Sequence, residues 1–357
     1  AKMFKQLYKW KWIIAALSCF LLLYILPTEF IEKYYSTGFF LWIRKIVDNT
    51  FAHLPFPSYY LFIVVLFFII LKWFLHFFKE KPSPLLQHLF KIASFAGFMI
   101  TLFFIMWGFN YGRIPIEKHL NFEINTLTEE QLIVETKETI AHLSQIRKSI
   151  KNDTNVIPEI VFVNNIEENS RDALCATLND FKYPNSTKIR GRFVLDDMFL
   201  IFGVGGQYMP YIGEGNVDDA VYYSRKSFYL MHEMAHGNGF TNEATCNFLA
   251  YVSCMQAGNL SIEYSGEINY LIYLFNAWKN TNENIFLAFK NELPLALKKD
   301  LEDMKRHNEK HTFKSAFLGD MINNAYLKIL GIQDGVKNYD KMVLLVYAWK
   351  QQKINIH

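Results

Sequence analysis

Three apolar runs near the front of the chain constrain its fold most. Trp10 to Pro27 is apolar except for Lys11, Tyr59 to Phe78 except for Lys72 and His76 near its end, and Phe90 to Phe109 except for Lys91. Each is about 20 residues, the length at which an α-helix crosses the hydrocarbon of a bilayer. Trp10, Trp12, Trp73 and Trp107 fall near the ends of these runs, where indoles favour the membrane–water interface. A cleaved signal peptide is the rival reading of the first run. Its apolar stretch continues through Leu21, Leu22 and Leu23 to Pro27 with no small-x-small site, so an uncleaved anchor is expected.

Basic residues then set the orientation. Lys2, Lys5, Lys9 and Lys11 precede or open the first run, and Lys79, Lys81 and Lys91 surround the loop after the second. The loop after the first mixes Lys33, Arg44 and Lys45 with Glu29, Glu32 and Asp48. By the positive-inside rule the N-terminus is cytoplasmic, the chain crosses three times, and everything after Arg113 lies on the far side. The expected layout is a membrane domain, 1–112, with spans at about 10–27, 59–78 and 90–109, followed by an extracytoplasmic domain, 113–357. Residues 39–56 read as an amphipathic segment lying on the bilayer. The net charge is +3, and no basic run with interleaved aromatics points to nucleic acid.

Beyond Arg113 the pattern is that of a soluble domain, mainly α with a small sheet. Thr128 and Gln131 have capping-box form and open a helix to about Ile150. Glu159 to Asn164 reads as a strand and Glu168 to Phe181 as a helix. Gly203 to Gly206 precede Gln207 to Ile212, which suggests a strand that Pro210 confines to a sheet edge. A dinucleotide site would need a helix there, so the glycines do not mark one. Asp218 or Asp219 can cap the next helix, and Ser261 to His357 reads as mostly helical. Of the four cysteines, one pair is open to Cys175 with Cys246 or Cys254, although Cys246 and Cys254 also read as small buried residues on a helix.

That next helix carries His232-Glu233-Met234-Ala235-His236, an HExxH pattern. Four residues make just over one turn, so both imidazoles leave one helix face and can grip one Zn²⁺. Glu233 then lies beside the open position of the metal, where it can take a proton from bound water. Gly237 and Gly239 allow a sharp turn, after which Thr241 or Asn242 can cap a second helix. Glu243, on its first turn, is the candidate third metal ligand, and Asn247, one turn further, can support the Glu243 carboxylate. A glutamate favoured there by the helix dipole alone is the plain alternative. Tyr208, Tyr211 and Tyr264 are candidates to hydrogen-bond an oxyanion, Glu214 and Asn216 to line a cleft or end a turn. His307 and His311 share the four-residue spacing but are flanked by Arg306 and Lys310, and read as a solvated charged face.

With these residues in place the chain resembles a bacterial membrane-protein family, domain of unknown function 3810. The likeness rests on the three-span front, Trp107 to Arg113, Gly206 to Tyr211, Glu214 to Val217, the HExxH with Gly239, Phe240 and Glu243, Asn247 to Tyr251, and Tyr264 to Gly266. It implies a zincin-like peptidase fold of the kind found in Bacteroidetes, and no known substrate. Relatives often have a second acid two places after the Glu243 position, where this chain has Thr245. The expected function is a zinc-dependent hydrolase of the bacterial inner membrane with its C-terminal domain in the periplasm. It would act as a metallopeptidase on peptides or envelope proteins, with Glu233 as general base. The alternatives are an inactive scaffold that binds envelope proteins and a zinc amidase with a non-peptide substrate.

Overall fold

The computed structural model describes residues 2–79, 85–311 and 339–356. The expected basic loop around Lys81 and part of the expected helical C-terminal region, 312–338, lie outside the described residues. The chain divides into two compact units. One comprises Ala1–Ile114 with Met209–Glu214, the other Pro115–Tyr208 with Gly215–His357.

In the first unit, α1 (Lys2–Ile25) packs along α5 (Leu85–Met106). Gly97 makes the approach close, since a Cβ there would come within 2.8 Å of the Trp12 carbonyl. Edge-on pairs of Trp12 with Phe98 and Phe20 with Phe104, each 4.8 Å between ring centroids, fill the rest of the seam. Pro27 cannot continue α1, and the chain bends by 112° into a helical segment reaching His53. This segment comprises α2 (Thr28–Phe30), a π-helical stretch (Ile31–Phe39) and α3 (Phe40–Asp48), ending in a short turn. It buries Ile31, Phe40, Ile43 and Val47 and exposes Tyr34, Trp42 and Ile46, so the expected amphipathic segment begins earlier, at Thr28. With α5, α4 (Ser58–Lys79) makes two helices long and apolar enough to cross a membrane, and α1 with its bent continuation makes a third if that pair is one span. Phe67, Phe68 and Ile70 of α4 point outward, more than half exposed, as lipid-facing residues do.

Met209–Glu214 belongs to this unit through specific bonds. The buried Arg44 pairs with Asp48 at 2.7 Å and donates to Gly213 O at 2.5 Å. Tyr211 stacks on Phe62 at 5.6 Å and donates to Met99 O, and Ser58 donates to Glu214. The hydroxyl of Tyr211 and the carboxylate of Glu214 therefore have bonding roles of their own in this unit.

The second unit is mainly helical around a small mixed sheet. After α6 (Ile116–His119), α7 (Glu129–Ile150) opens on the expected capping box, with Thr128 and Gln131 bonding reciprocally. The expected strand at Glu159 is instead a 3₁₀ turn, Glu159–Val161, entered from Pro158. Its β-branched residues have no neighbouring strand among the described residues, and Ile160 is exposed. Next come α8 (Ile166–Asp180), β1 (Gly191–Val194), β2 (Gly206–Met209), β3 (Glu214–Asp218) and α9 (Lys226–Gly237). They are followed by α10 (Glu243–Gln256), α11 (Leu260–Thr281), α12 (Glu283–Glu292), α13 (Leu295–His311) and α14 (Tyr339–Ile356). The sheet order is β1-β3-β2, with β1 parallel to β3 in the register Gly191 to Gly215 through Val194 to Asp218. β2 is an edge strand, as expected, but it is shorter than the expected Gln207 to Ile212 and ends at Met209, because Pro210 has no amide to continue the ladder. Asp218 and Asp219 do not cap α9. Asp218 ends β3 and accepts the amides of Asp197, Phe199, Leu200 and Ala220, while Asp219 pairs with Lys226.

The helix α9 lies directly on sheet backbone because glycines face it from all three strands or their approaches. A Cβ added at Gly191 would meet Met234 at 2.7 Å, at Gly205 Tyr229 at 2.2 Å, and at Gly206 Glu233 Oε1 at 2.7 Å. At Gly215 it would meet Glu233 Cβ at 2.6 Å and its backbone carbonyl carbon at 3.0 Å. The glycine run before β2 thus exists for close helix packing. Because part of the obstacle at Gly215 is backbone, no rotamer change clears it. Gly215→Ala should destabilise the second unit by about 1–3 kcal/mol. A thermal melt that does not shift would show that α9 can lift off the sheet without cost.

Beneath these elements are two apolar clusters. One gathers α8, α9, α10 and α14 around Met234, Phe248, Leu249 and Val346, and the other joins α7, α11 and α13 around Leu143, Trp278 and Leu297. All four cysteines are free and buried, so the pairing left open for Cys175 does not form. Cys254 instead packs its sulfur against Met231. Nor are His307 and His311 merely solvated. His307 Nε2 lies 2.7 Å from Ala220 O, and His311 Nδ1 lies 2.9 Å from Asp197.

Candidate metal centre

Residues 232–236 form the C-terminal half of α9, so His232 and His236 leave it on one side with ring centroids 4.8 Å apart. The helix then ends in a Schellman motif, in which Phe240 N donates to Ala235 O and Gly239 N to His236 O. Gly239 takes the required left-handed conformation at φ +86°, whereas Gly237 remains helical. Of the two possible caps for α10 it is Asn242 that acts, accepting from Thr245 N. This five-residue turn places Glu243 opposite the histidines.

The donor atoms converge. His232 Nε2 and His236 Nε2 are 3.1 Å apart, and Glu243 places one oxygen 3.1 Å from the former and the other 3.6 Å from the latter. His232, His236 and Glu243 form the one group among the described residues with the donor set and spacing to hold a metal ion. The far side of each ring is also held. His232 Nδ1 is 2.7 Å from Asn247 Oδ1, and His236 Nδ1 is 2.8 Å from Phe240 O. With both acceptors on the Nδ1 side, the Nε2 lone pairs are left to face the common point. Asn247 therefore supports His232, where the sequence suggested that it would support Glu243. Cys246, one residue earlier on α10, places its sulfur 3.3 Å from His236 Nδ1.

Electrostatics fit a cation at that point. Burial works to raise the Glu243 carboxyl, but His236 and His232 together hold it well below the usual range. Its side chain is still 42% exposed, so solvent screens part of that pairing. His236 behaves in the opposite sense. Burial disfavours its charged form, and the Cys246 sulfur and Glu243 carboxylate more than offset that, raising it well above the ordinary imidazole value. Glu233 is buried, and burial pushes it up to about 7 against the pull of the two imidazoles. Its Oε2 is buried with no hydrogen-bond partner, while the Tyr208 amide donates to the carboxylate. A buried carboxylate oxygen with no partner among converging imidazoles suits a site that admits a metal and a water.

Of the remaining candidates, Tyr208 is brought to the centre. Besides its amide contact it tilts its ring against His236, 6.5 Å between centroids. Tyr264 is not. Its hydroxyl donates to Asp300 at 2.9 Å and its ring packs on Phe162 in the second cluster. The helical spacing that puts Tyr264 on α11 says nothing of which side of α11 meets α9; the residue facing α9 is Ser265, whose hydroxyl accepts the Phe228 amide. Asn216 is buried in β3, its carbonyl beside Gly206. Sequence reasoning missed the roles of Cys246 and of Phe240 O. The latter had a readable signal, since a glycine two residues past a helix that ends in His brings the following carbonyl back over the last turn.

No curated protein and no solved structure matches the chain. The family described as Protein of unknown function (DUF3810) matches residues 35–347, which include both candidate membrane-crossing helices, the sheet and the converging His232, His236 and Glu243. The chain belongs to that family.

Proposed function

We propose that this protein is a membrane-anchored zinc-dependent hydrolase, most directly a metallopeptidase with a zincin-like catalytic domain. The observation that carries the reading is the convergence of two imidazole Nε2 atoms and one carboxylate on a single point, with both Nδ1 atoms already engaged. Three protein ligands and an open position are the usual arrangement of a catalytic zinc, whereas structural zinc sites close with four. Zn²⁺ bound there would supply Lewis acidity toward a water and a scissile carbonyl. Glu233 takes the proton of the attacking water and returns it to the leaving amine. The Tyr208 amide orients the Glu233 carboxylate, and Asn247 and the Phe240 carbonyl hold the histidines in register. The β2 edge offers main-chain groups to an extended peptide. The basic residues before and after the apolar helices favour a cytoplasmic N-terminus and a periplasmic catalytic domain in the bacterial inner membrane.

The test uses the full chain, purified in detergent. Zinc should be present at one equivalent and lost in variants His232→Ala and Glu243→Ala, and its removal by chelator should lower the melting temperature. The loaded protein should cleave members of a broad peptide library. Absence of zinc would end the proposal. Zinc without cleavage would redirect it to a non-peptide amide or to a binding scaffold for envelope proteins.

A further inference from the structure

Along α9 every residue from Lys226 to Gly237 is buried except Tyr229 and His232. Arg225, immediately before the helix, is also partly exposed. Positions i, i+4 and i+7 fall on one helical stripe, so α9 shows solvent a single line running from Arg225 past Tyr229 to the metal ligand His232. The approach to β2 runs beside this line in the same direction. Gly205 abuts Tyr229 and Gly206 abuts Glu233, and both glycines remain partly exposed. The stripe and the edge strand are thus the two sides of one surface leading away from the catalytic residues.

Arg225 is held in place but not neutralised. Its Nε donates to Asn269 Oδ1 at 2.8 Å, Asn269 is itself buried and bonded to Ser265 O, and the guanidinium lies 5.0 Å over the Tyr229 ring. No carboxylate among the described residues pairs with it, whereas the adjacent Lys226 is matched by Asp219 at 2.5 Å. With Nε used, the terminal Nη pair remains, the fork that takes a carboxylate in bidentate fashion. Such a cation at the start of a helix is disfavoured by the helix dipole, so it adds nothing evident to the stability of α9.

We propose that Arg225 is a specificity residue that binds a carboxylate on the substrate, an inference that rests on the hydrolase reading. Seven residues of helix span about 10 Å, which an extended peptide covers in about three residues. The favoured substrate therefore carries a carboxylate about three residues from the cleaved bond. It is supplied either by a free C-terminus or by an acidic side chain.

The experiment measures binding, so that it stands apart from turnover. Full-length protein carrying Glu233→Gln, loaded with zinc in detergent, is titrated with fluorescent peptides. These carry Glu or Gln at each position and end in a free or amidated C-terminus. Anionic peptides should bind about ten- to a hundredfold more tightly than their neutral counterparts. Arg225→Gln should erase the difference and Arg225→Lys retain part of it, with zinc content unchanged in both. Loss of the preference on amidation identifies the C-terminus as its source, and loss on Glu-to-Gln exchange identifies a side chain. A preference that survives Arg225→Gln, no preference in the parent, or no peptide binding at all would overturn the assignment. Failure of the hydrolase reading would show separately, as absent zinc or as binding without cleavage by the chain that retains Glu233.

Discussion

Glu233→Gln should leave one zinc per chain in place and lower peptide hydrolysis by roughly two to four orders of magnitude. The converging donor atoms belong to His232, His236 and Glu243, so the proposed metal would lose no donor. The amide has the shape of the carboxylate and can still accept from the Tyr208 amide through its oxygen, so packing against Gly206 and Gly215 is kept. What is lost is the capacity to take a proton. Metal analysis beside a rate measurement checks both halves. Hydrolysis that survives with zinc bound would remove Glu233 from the mechanism.

The largest expected effect on stability lies outside the site. Asp300→Ala should destabilise the second unit by about 3–5 kcal/mol, because it strands a buried guanidinium. Asp300 accepts from Arg147 Nε at 2.6 Å, from the Tyr264 hydroxyl, and from the Ile157 amide. Side-chain exposure is 2% for Arg147 and 6% for Asp300, so water cannot replace the lost partner. Arg147 also donates to the carbonyls of Lys151 and Asn155, which ties the end of α7 and the following loop to α13. The melting temperature should fall on the order of 10 °C, with zinc stoichiometry unchanged below the new transition. An unshifted melt would show that this cluster does not hold the helices together.

Much of this was legible in the chain because it is periodic or local. Runs of uncharged residues mark membrane-length helices whatever surrounds them, and the capping box at Thr128 works through bonds three residues apart. Within the site, His232, Glu233, His236 and Glu243 were readable because one helix turn and one glycine bend fix their geometry. What escaped depends on distant packing. Tyr264 could not be placed without knowing which side of α11 meets α9. The β-branched run at Ile160 looked extended, yet among the described residues no strand pairs with it. Asp218 looked like a cap and instead gathers three amides of a loop 18 to 21 residues earlier, together with that of Ala220. Arg225 carries no motif at all, and its role emerges only from which α9 residues stay uncovered.

The glycine-lined seat of α9 has a kinetic consequence. With glycine on the strand side of each of these contacts, α9 side chains rest on strand backbone and there is little slack to absorb small motions, so β3 opens to solvent only when α9 lifts. Amide protons of residues 215–218 should then exchange with deuterium only in the rare openings that release the whole helix, and at a common rate. Such all-or-none breathing would keep the imidazole pair aligned through the smaller fluctuations that loosen surface loops.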